Sequence, residues 1–123
     1  MSDSKILVID DDPDILDAVS IVLKSENYIV VTAMDGQEGV EKFKSEKPDL
    51  ILCDMMMERI DAGAKVAEAI RQEDKNIPIY LLSSIGSVTD INTDINKKGF
   101  NGVLQKPVDP SNLKAEIKKA LNK

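Results

Sequence analysis

Residues 5–15 read KILVIDDDPDI, a short apolar run followed directly by three adjacent aspartates and a proline. The run is too short for a helix and too continuous for a strand with one wet face, so it predicts a strand buried on both faces. Asp12 followed by Pro13 is typical of a helix start, with an N-cap side chain and a proline at the first helical position. The stretch therefore predicts a buried strand, an acidic turn and a helix.

The same alternation of strand and helix recurs along the 123 residues of the chain. Four more strands are predicted at YIVVT, DLILC, PIYLL and GVLQ, which are residues 28–32, 49–53, 78–82 and 102–105. Apolar residues recur at helical spacing between them, and Asp35-x-x-Glu38 and Asp109-Pro110 mark two further helix starts. Such alternation requires a parallel sheet with helices on both faces. We therefore expect an α/β fold, a (βα)5 doubly wound parallel five-stranded sheet, in one domain over residues 1–123.

Composition restricts the chemistry that this chain can perform. It contains no histidine, which excludes histidine-based zinc sites, Ser-His-Asp and Cys-His catalysis, and phosphorylation of the chain on histidine. Cys53, the single cysteine, lies in an apolar run and is predicted to be a small buried hydrophobe. The net charge of −6 argues against direct binding of nucleic acid. No apolar run is long enough to span a membrane and no signal peptide is evident, so we expect a cytoplasmic protein without membrane insertion.

Charged residues and hydroxyls follow four of the five predicted strands. Asp10 and Asp11 follow the first strand, Asp54 the third, Ser83 the fourth and Lys106 the fifth. Because parallel strands end at the same edge of a sheet, we expect these residues to surround one crevice. Clustered carboxylates suit a hard cation, usually Mg2+ where phosphate is also bound, and a hydroxyl with a lysine suits a phosphoryl group. The set indicates a phosphoryl site, in which Asp54 could act as a nucleophile that forms an aspartyl phosphate.

In this order and at these spacings, the motifs ILVIDDDPDIL, LILCDMMM, PIYLLSS and LQKP resemble those of two-component response-regulator receiver domains of the single-domain, chemotaxis-regulator-like kind. The resemblance covers essentially the whole chain and implies a flavodoxin-like fold with strand order 2-1-3-4-5. It implies a phosphorelay switch in which Asp54 accepts a phosphoryl group from a phosphohistidine of a sensor histidine kinase or phosphotransfer protein. Phosphorylation of Asp54 would alter a surface that binds a downstream protein target. The chain would not be an enzyme beyond this self-phosphotransfer and slow autodephosphorylation.

The resemblance also implies how the metal and the phosphoryl group are held. Asp11 would bind Mg2+ directly and Asp10 mainly through metal-bound water. Asp54 and the backbone carbonyl of Met56 would complete the protein ligands.

Beside the acceptor, the hydroxyl of Ser83 would move to the phosphoryl group and Lys106 would pair with another of its oxygens. The sequence departs from the family at Val103, where many receivers have Tyr or Phe, so a switch that moves an aromatic side chain at this position cannot operate. Residues 87–98, the expected fourth helix, are rich in Thr, Asn and Asp, which favour caps and turns over helix interiors. Our hypothesis is that this marginal helix carries the response by ordering or shifting.

Two other functions are compatible with parts of the sequence. A pseudo-receiver would keep the fold as a binding module without the chemistry. The segment VIDDDP also fits the D-x-D pattern of haloacid-dehalogenase-like phosphatases, with Asp10 as nucleophile and Asp12 as acid and base. A calcium loop is excluded because Ile15 and Ile21 occupy the positions where an EF-hand needs Gly and Glu. We expect a stand-alone receiver, since the last predicted helix runs close to residue 123.

Overall fold

The computed structural model of the chain describes residues 4–54, 62–83, 101–105 and 109–121. Its elements are β1 (Lys5–Ile9), α1 (Pro13–Ser25), β2 (Ile29–Ala33), α2 (Gly36–Glu46), β3 (Leu50–Asp54), α3 (Ala62–Glu73), β4 (Ile79–Ser83), β5 (Gly102–Gln105) and α4 (Pro110–Leu121). The five strands are parallel and form one sheet in the order β2-β1-β3-β4-β5. The predicted parallel α/β fold and its strand order are confirmed.

Aspartate side chains begin two of the helices as the sequence predicts. The carboxylate of Asp12 accepts a hydrogen bond from the backbone N–H of Asp14 at 2.9 Å, and Pro13 is the first residue of α1. At the start of α4, Asp109 accepts in the same way from the N–H of Asn112 at 2.9 Å. Each such cap satisfies a backbone donor that the helix cannot satisfy itself, which stabilises the helix by ~1 kcal/mol.

The predicted capping box at the start of α2 forms with one change. Asp35 accepts from the N–H of Glu38 at 2.8 Å, as expected. The carboxylate of Glu38 reaches back past the cap and accepts from the N–H of Met34 at 2.9 Å. The reciprocal bond is therefore made to the residue before the cap, and it ties the end of β2 to the start of α2.

Three strands are displaced by one residue from their predicted positions. β1 and β5 have the predicted bounds, whereas β2, β3 and β4 each begin and end one residue later. Asp54 and Ser83 are consequently the last residues of their strands, paired with Leu82 and Gln105. An apolar run marks where side chains are buried, but a strand ends where its backbone hydrogen bonds to the neighbouring strand end. A polar side chain at the last position does not interrupt that pairing.

The hydrophobic core consists of two layers, one on each face of the sheet, because successive side chains of a strand point to opposite faces. The layer beneath α2 and α3 contains Leu7, Ile9, Phe43, Ile51, Cys53, Val66, Ile70, Ile79 and Leu81, among others. The layer beneath α1 and α4 contains Ile6, Val8, Leu16, Val19, Leu23, Leu50, Leu52, Leu82, Leu104, Leu113 and Ile117, among others. Cys53 has no exposed surface, which confirms its prediction as a buried hydrophobe.

Several predicted features lie outside the described residues. They are the fourth helix expected over 87–98 and the site residues Met56 and Lys106. Among the helices in the ranges given above, none has the length and apolar character needed to cross a bilayer.

Candidate functional site

The backbone brings three of the predicted site residues to the same edge of the sheet. Ile9 at the end of β1 pairs with Cys53 of β3. Asp10 directly follows Ile9 and Asp54 directly follows Cys53, so the two aspartates lie side by side in backbone register at the carboxyl edge. Ser83 ends the adjacent strand β4, one step beyond the partner of Asp54. This is the edge at which open parallel sheets bind their ligands.

Asp10 is a fully buried carboxylate at this edge. It has no exposed surface. Its backbone N–H extends the sheet by donating to the carbonyl of Ala33 at 3.0 Å, and its Oδ1 accepts from the N–H of Asp12 at 2.9 Å. The second bond forms an Asx turn, in which a side-chain oxygen accepts from the backbone N–H two residues later, as a backbone carbonyl does in an ordinary turn. Burying a carboxylate costs free energy that hydrogen bonds and nearby cations offset, so a group in this position is suited to hold a cation.

The three consecutive aspartates have three different environments. Asp10 is buried, Asp11 is exposed, and Asp12 is exposed and caps α1. The Asp12 carboxylate accepts from the N–H of Asp14 and is therefore engaged in the helix cap. This bond opposes the acid and base role that a phosphatase mechanism would require of Asp12. Asp10 and Asp11 remain as the candidates for a cation site.

The described part of the chain supplies oxygen donors at the carboxyl edge but no complete group of metal ligands. Within that part, no three acidic, histidine or cysteine side chains lie close enough to share a metal ion. Asp10 and Asp11 supply hard oxygen donors, and Asp54 is level with Asp10 in the sheet. The donor types fit Mg2+, which prefers a few carboxylates and keeps several waters. A site here would need Asp54 in addition to the two N-terminal aspartates.

Gly39 of α2 supports this edge and was not singled out in the sequence. It is buried against the last residue of β1, and a Cβ built at Gly39 would lie 2.5 Å from Cδ1 of Ile9. No larger residue fits unless Ile9 moves, and Ile9 directly precedes Asp10. A glycine inside a helical pattern is the signal that such a close approach leaves in a sequence.

An aromatic ring lies across β4 and β5 on the face that α4 covers. Tyr80 is 8% exposed, and a Cβ built at Gly102, its partner in β5, would lie 2.8 Å from the ring. Burial raises the pKa of Tyr80 above its ordinary value, and the carboxylate of Glu116 adds to the shift. The ring occupies the space that a side chain at position 102 would take. Val103, where the family often has an aromatic, pairs through its backbone with Leu81.

A parallel sheet of this strand order, with acidic residues at the carboxyl end of its first and third strands, is the arrangement found in receiver domains, although flavodoxins share the strand order. The chain belongs to the response regulator receiver domain family, because the model of that family matches residues 6–118. The family predicted from the motifs is confirmed.

Two curated relatives are transcriptional regulators. The chain is 34% identical over 119 residues to the alkaline phosphatase synthesis transcriptional regulatory protein PhoP of Bacillus subtilis, with 97% of this chain and 49% of PhoP covered. It is also 34% identical over 121 residues to the DNA-binding dual master transcriptional regulator RpaA of Synechocystis, with 97% of this chain and 49% of RpaA covered. The chain thus spans about half the length of these curated relatives.

Solved structures of similar length share the fold over nearly the whole chain. The chemotaxis response regulator CheY4 of Vibrio cholerae superimposes with a TM-score of 0.88 at 30% identity, covering 98% of this chain and 100% of CheY4. A CheY-like receiver domain protein from Methanospirillum hungatei gives a TM-score of 0.87 at 28% identity, covering 98% of this chain and 95% of that one.

Proposed function

We propose that the chain is a phosphorylation-dependent signalling switch of a two-component system, acting in the cytoplasm. Asp54 accepts a phosphoryl group from a phosphohistidine of a sensor histidine kinase or phosphotransfer protein. The observation that supports this most directly is the buried carboxylate of Asp10, level with Asp54 at the carboxyl edge of a receiver-family sheet. A buried carboxylate in this position is suited to hold a cation beside an acceptor.

The chemistry is a transfer between two nucleophiles. A carboxylate oxygen of Asp54 attacks phosphorus, an O–P bond forms, the N–P bond to the donor histidine breaks, and the electron pair returns to the imidazole nitrogen. The Ser83 hydroxyl donates a hydrogen bond to one phosphoryl oxygen, and the Lys106 ammonium pairs with another. Both interactions stabilise charge that spreads over the phosphoryl oxygens in the transition state.

Asp10, Asp11, Asp54 and the carbonyl of Met56 would hold Mg2+, which when bound neutralises charge on the carboxylates and on the transferring group. Two hydrogen bonds fix Asp10 in place: its side-chain Oδ1 accepts from the N–H of Asp12, and its backbone N–H donates to the carbonyl of Ala33. A pre-oriented carboxylate loses little entropy when a cation binds.

The output of the switch is proposed to be a protein partner, with no direct binding of nucleic acid by this chain. The net charge of −6 supports this, since an acidic surface repels phosphate backbones. The DNA-binding described for RpaA concerns a protein of about twice this length. A gel mobility-shift experiment with a mixed-sequence duplex tests the proposal, and retention of the duplex at moderate salt would contradict it.

The decisive experiment is the intact mass of the protein after incubation with acetyl phosphate and Mg2+. We expect one added phosphoryl group that hydroxylamine removes and that is lost in Asp54→Asn or when EDTA replaces Mg2+. Asp17→Asn serves as the matched control, because Asp17 is an exposed carboxylate on α1 away from the sheet edge. We expect this variant to be labelled like the wild type.

The same experiment distinguishes the two alternatives. An adduct that survives Asp54→Asn but is lost in Asp10→Asn would favour a phosphatase mechanism with Asp10 as nucleophile. No adduct under any condition, together with no binding of beryllofluoride, would favour a pseudo-receiver.

A further inference from the structure

A three-way hydrogen-bond cluster joins β4 to β5 at the amino edge of the sheet, opposite the proposed site. Asn101, the residue before β5, donates its N–H to the carbonyl of Ile79 at 2.7 Å. The N–H of Ile79 donates back to Oδ1 of Asn101 at 2.9 Å. Nη2 of Arg71 donates to the same oxygen at 2.8 Å. We call Arg71, Asn101 and Ile79 the β5 clasp.

Arg71 anchors the β5 clasp to the end of α3. Its Nη1 donates to the carbonyl of Asp74 at 3.3 Å, one residue past the last residue of that helix. Partial burial lowers the pKa of Arg71, and the charge of Asp74 acts in the opposite direction. The guanidinium remains charged at neutral pH, since arginine is effectively always protonated in proteins. It therefore holds the amide oxygen of Asn101 with a charge-assisted hydrogen bond.

The register of β5 is the property that the β5 clasp controls. β5 is a four-residue strand at the edge of the sheet, with β4 on one side. Its ladder runs from Tyr80 paired with Gly102 to Ser83 paired with Gln105. An edge strand pairs on one side only, so fewer backbone hydrogen bonds fix its register. A slip of one residue would move the strand by about 3.3 Å and reverse which side chains face the core.

We propose that Arg71 and Asn101 are positioning residues for phosphoryl transfer, because they set the register of β5 against β4 from the far end of the strand. The inference rests on the proposed function, which assigns roles to Ser83 at the end of β4 and to Lys106, the residue after Gln105. With the observed register, the end of β5 lies level with Ser83. Arg71 and Asn101 do not touch the reacting groups and act through the strand.

The test compares Asn101→Ala, which removes the shared acceptor, with Asn101→Asp, which keeps an oxygen for both donors. Asn112→Ala, an exposed asparagine of α4, is the matched control. The initial rate of labelling by acetyl phosphate is measured by intact mass, and Mg2+ affinity by isothermal titration calorimetry. We expect Asn101→Ala to lower the rate about three- to tenfold, the equivalent of one or two lost hydrogen bonds. Mg2+ affinity should be unchanged, Asn101→Asp should restore most of the rate, and Asn112→Ala should match the wild type.

A double-mutant cycle with Lys106→Ala separates positioning from general destabilisation. If the β5 clasp acts through the end of β5, Asn101→Ala should cause little further loss in a protein that already lacks the lysine. Arg71→Met provides a second variant should Asn101→Ala fold poorly, with the same loss expected. A wild-type rate in Asn101→Ala and Arg71→Met, a parallel fall in Mg2+ affinity, or losses that multiply in the double variant would each overturn the proposal.

Failure of the proposed function gives a different result. Two results would overturn the role of the site itself and with it this inference. One is wild-type protein that takes up no phosphoryl group, and the other is a Lys106→Ala variant that is labelled at the wild-type rate. A site that is labelled normally and weakened by Lys106→Ala, but indifferent to the β5 clasp, would overturn the inference alone.

Discussion

The two edges of the sheet use polar residues in opposite ways. At the amino edge, the polar groups of the described chain pair with groups of opposite kind: Nζ of Lys5 lies 3.2 Å from Oε1 of Glu46, and the N–H of Lys5 donates to Asp49 at 2.8 Å. At the carboxyl edge, carboxylates accumulate, with Asp10 buried and Asp54 in the adjacent register position. Like charges at one edge raise the free energy of the folded state unless a cation joins them. The amino edge thus shows pairing that stabilises the fold, whereas the carboxyl edge is the place where we propose that a cation binds.

The largest effect that would sharpen this comparison is expected for Asp10→Asn. The amide keeps an oxygen that can accept from Asp12 but loses the charge. We expect labelling by acetyl phosphate to fall about 10–100-fold, the usual cost of removing a group that supports a bound metal. The free energy of unfolding without Mg2+ should stay the same or rise, because repulsion at the edge is reduced. Asp49→Asn at the amino edge is the matched control and should be labelled normally.

For Asp10→Asn and Asp49→Asn, urea unfolding measures the free energy of unfolding and intact mass measures the labelling. A large loss of stability in Asp10→Asn with unchanged labelling would reverse the assignment, since it would make the buried carboxylate a structural group.

The next effect concerns the packing beneath the carboxyl edge. Gly39→Ala places a methyl group against Ile9 in a filled core layer. We expect a loss of ~1–3 kcal/mol in the free energy of unfolding, the range for overpacking a core, together with slower labelling because Asp10 follows Ile9. Urea denaturation measures the first and intact mass the second. Lys44→Ala on the exposed surface of the same helix is the control, and equal stability of the two variants would contradict the close approach.

A smaller effect is expected at the amino edge. Asp49→Ala removes the acceptor for the N–H of Lys5 but leaves the carboxyl edge intact. We expect a loss of ~0.5–1.5 kcal/mol in the free energy of unfolding, as for one exposed hydrogen bond, and labelling at the wild-type rate. A fall in labelling without a matching fall in stability would show that the two edges are not independent.

The smallest effect is a pH dependence that comes from Tyr80. Burial raises its pKa in the folded state above the ordinary value of 10.0. The unfolded chain therefore loses the phenolic proton at lower pH, and the stability present below pH 10.0 declines as the pH rises past that value. Tyr80→Phe should reduce the decline in the free energy of unfolding between pH 9 and pH 11, roughly the span over which the phenol titrates. An identical decline in both proteins would mean that Tyr80 titrates normally.

Local features of the structure follow closely from local features of the sequence. The N-caps Asp12, Asp35 and Asp109 form as predicted, because a cap needs only a side chain and a backbone donor two or three residues away. The predicted strand bounds were less accurate, because they depend on pairing with a neighbouring strand. β2, β3 and β4 each begin and end one residue later than predicted, and in β3 and β4 the pairing with adjacent strands continues past the last apolar side chain.

The residues missed in the sequence are those whose partners lie far along the chain. Asn101 and Ile79 are 22 residues apart, and neither belongs to a motif that predicts their hydrogen bond. Gly39 matters through Ile9 on another element, and Tyr80 through a glycine on the next strand. Such pairs depend on the register and on the approach of a helix to the sheet, which sequence periodicity does not encode.

The sequence by itself determined the alternation of strands and helices, the helix starts, and the set of residue types suited to phosphoryl chemistry, because each depends on short-range periodicity or on composition. Only the tertiary structure decided that Asp10 is buried while Asp11 is exposed. It also decided that Asn101 joins β4 to β5. These outcomes depend on how parallel strands from distant parts of the chain align, and that alignment is set by the packing of both core layers together.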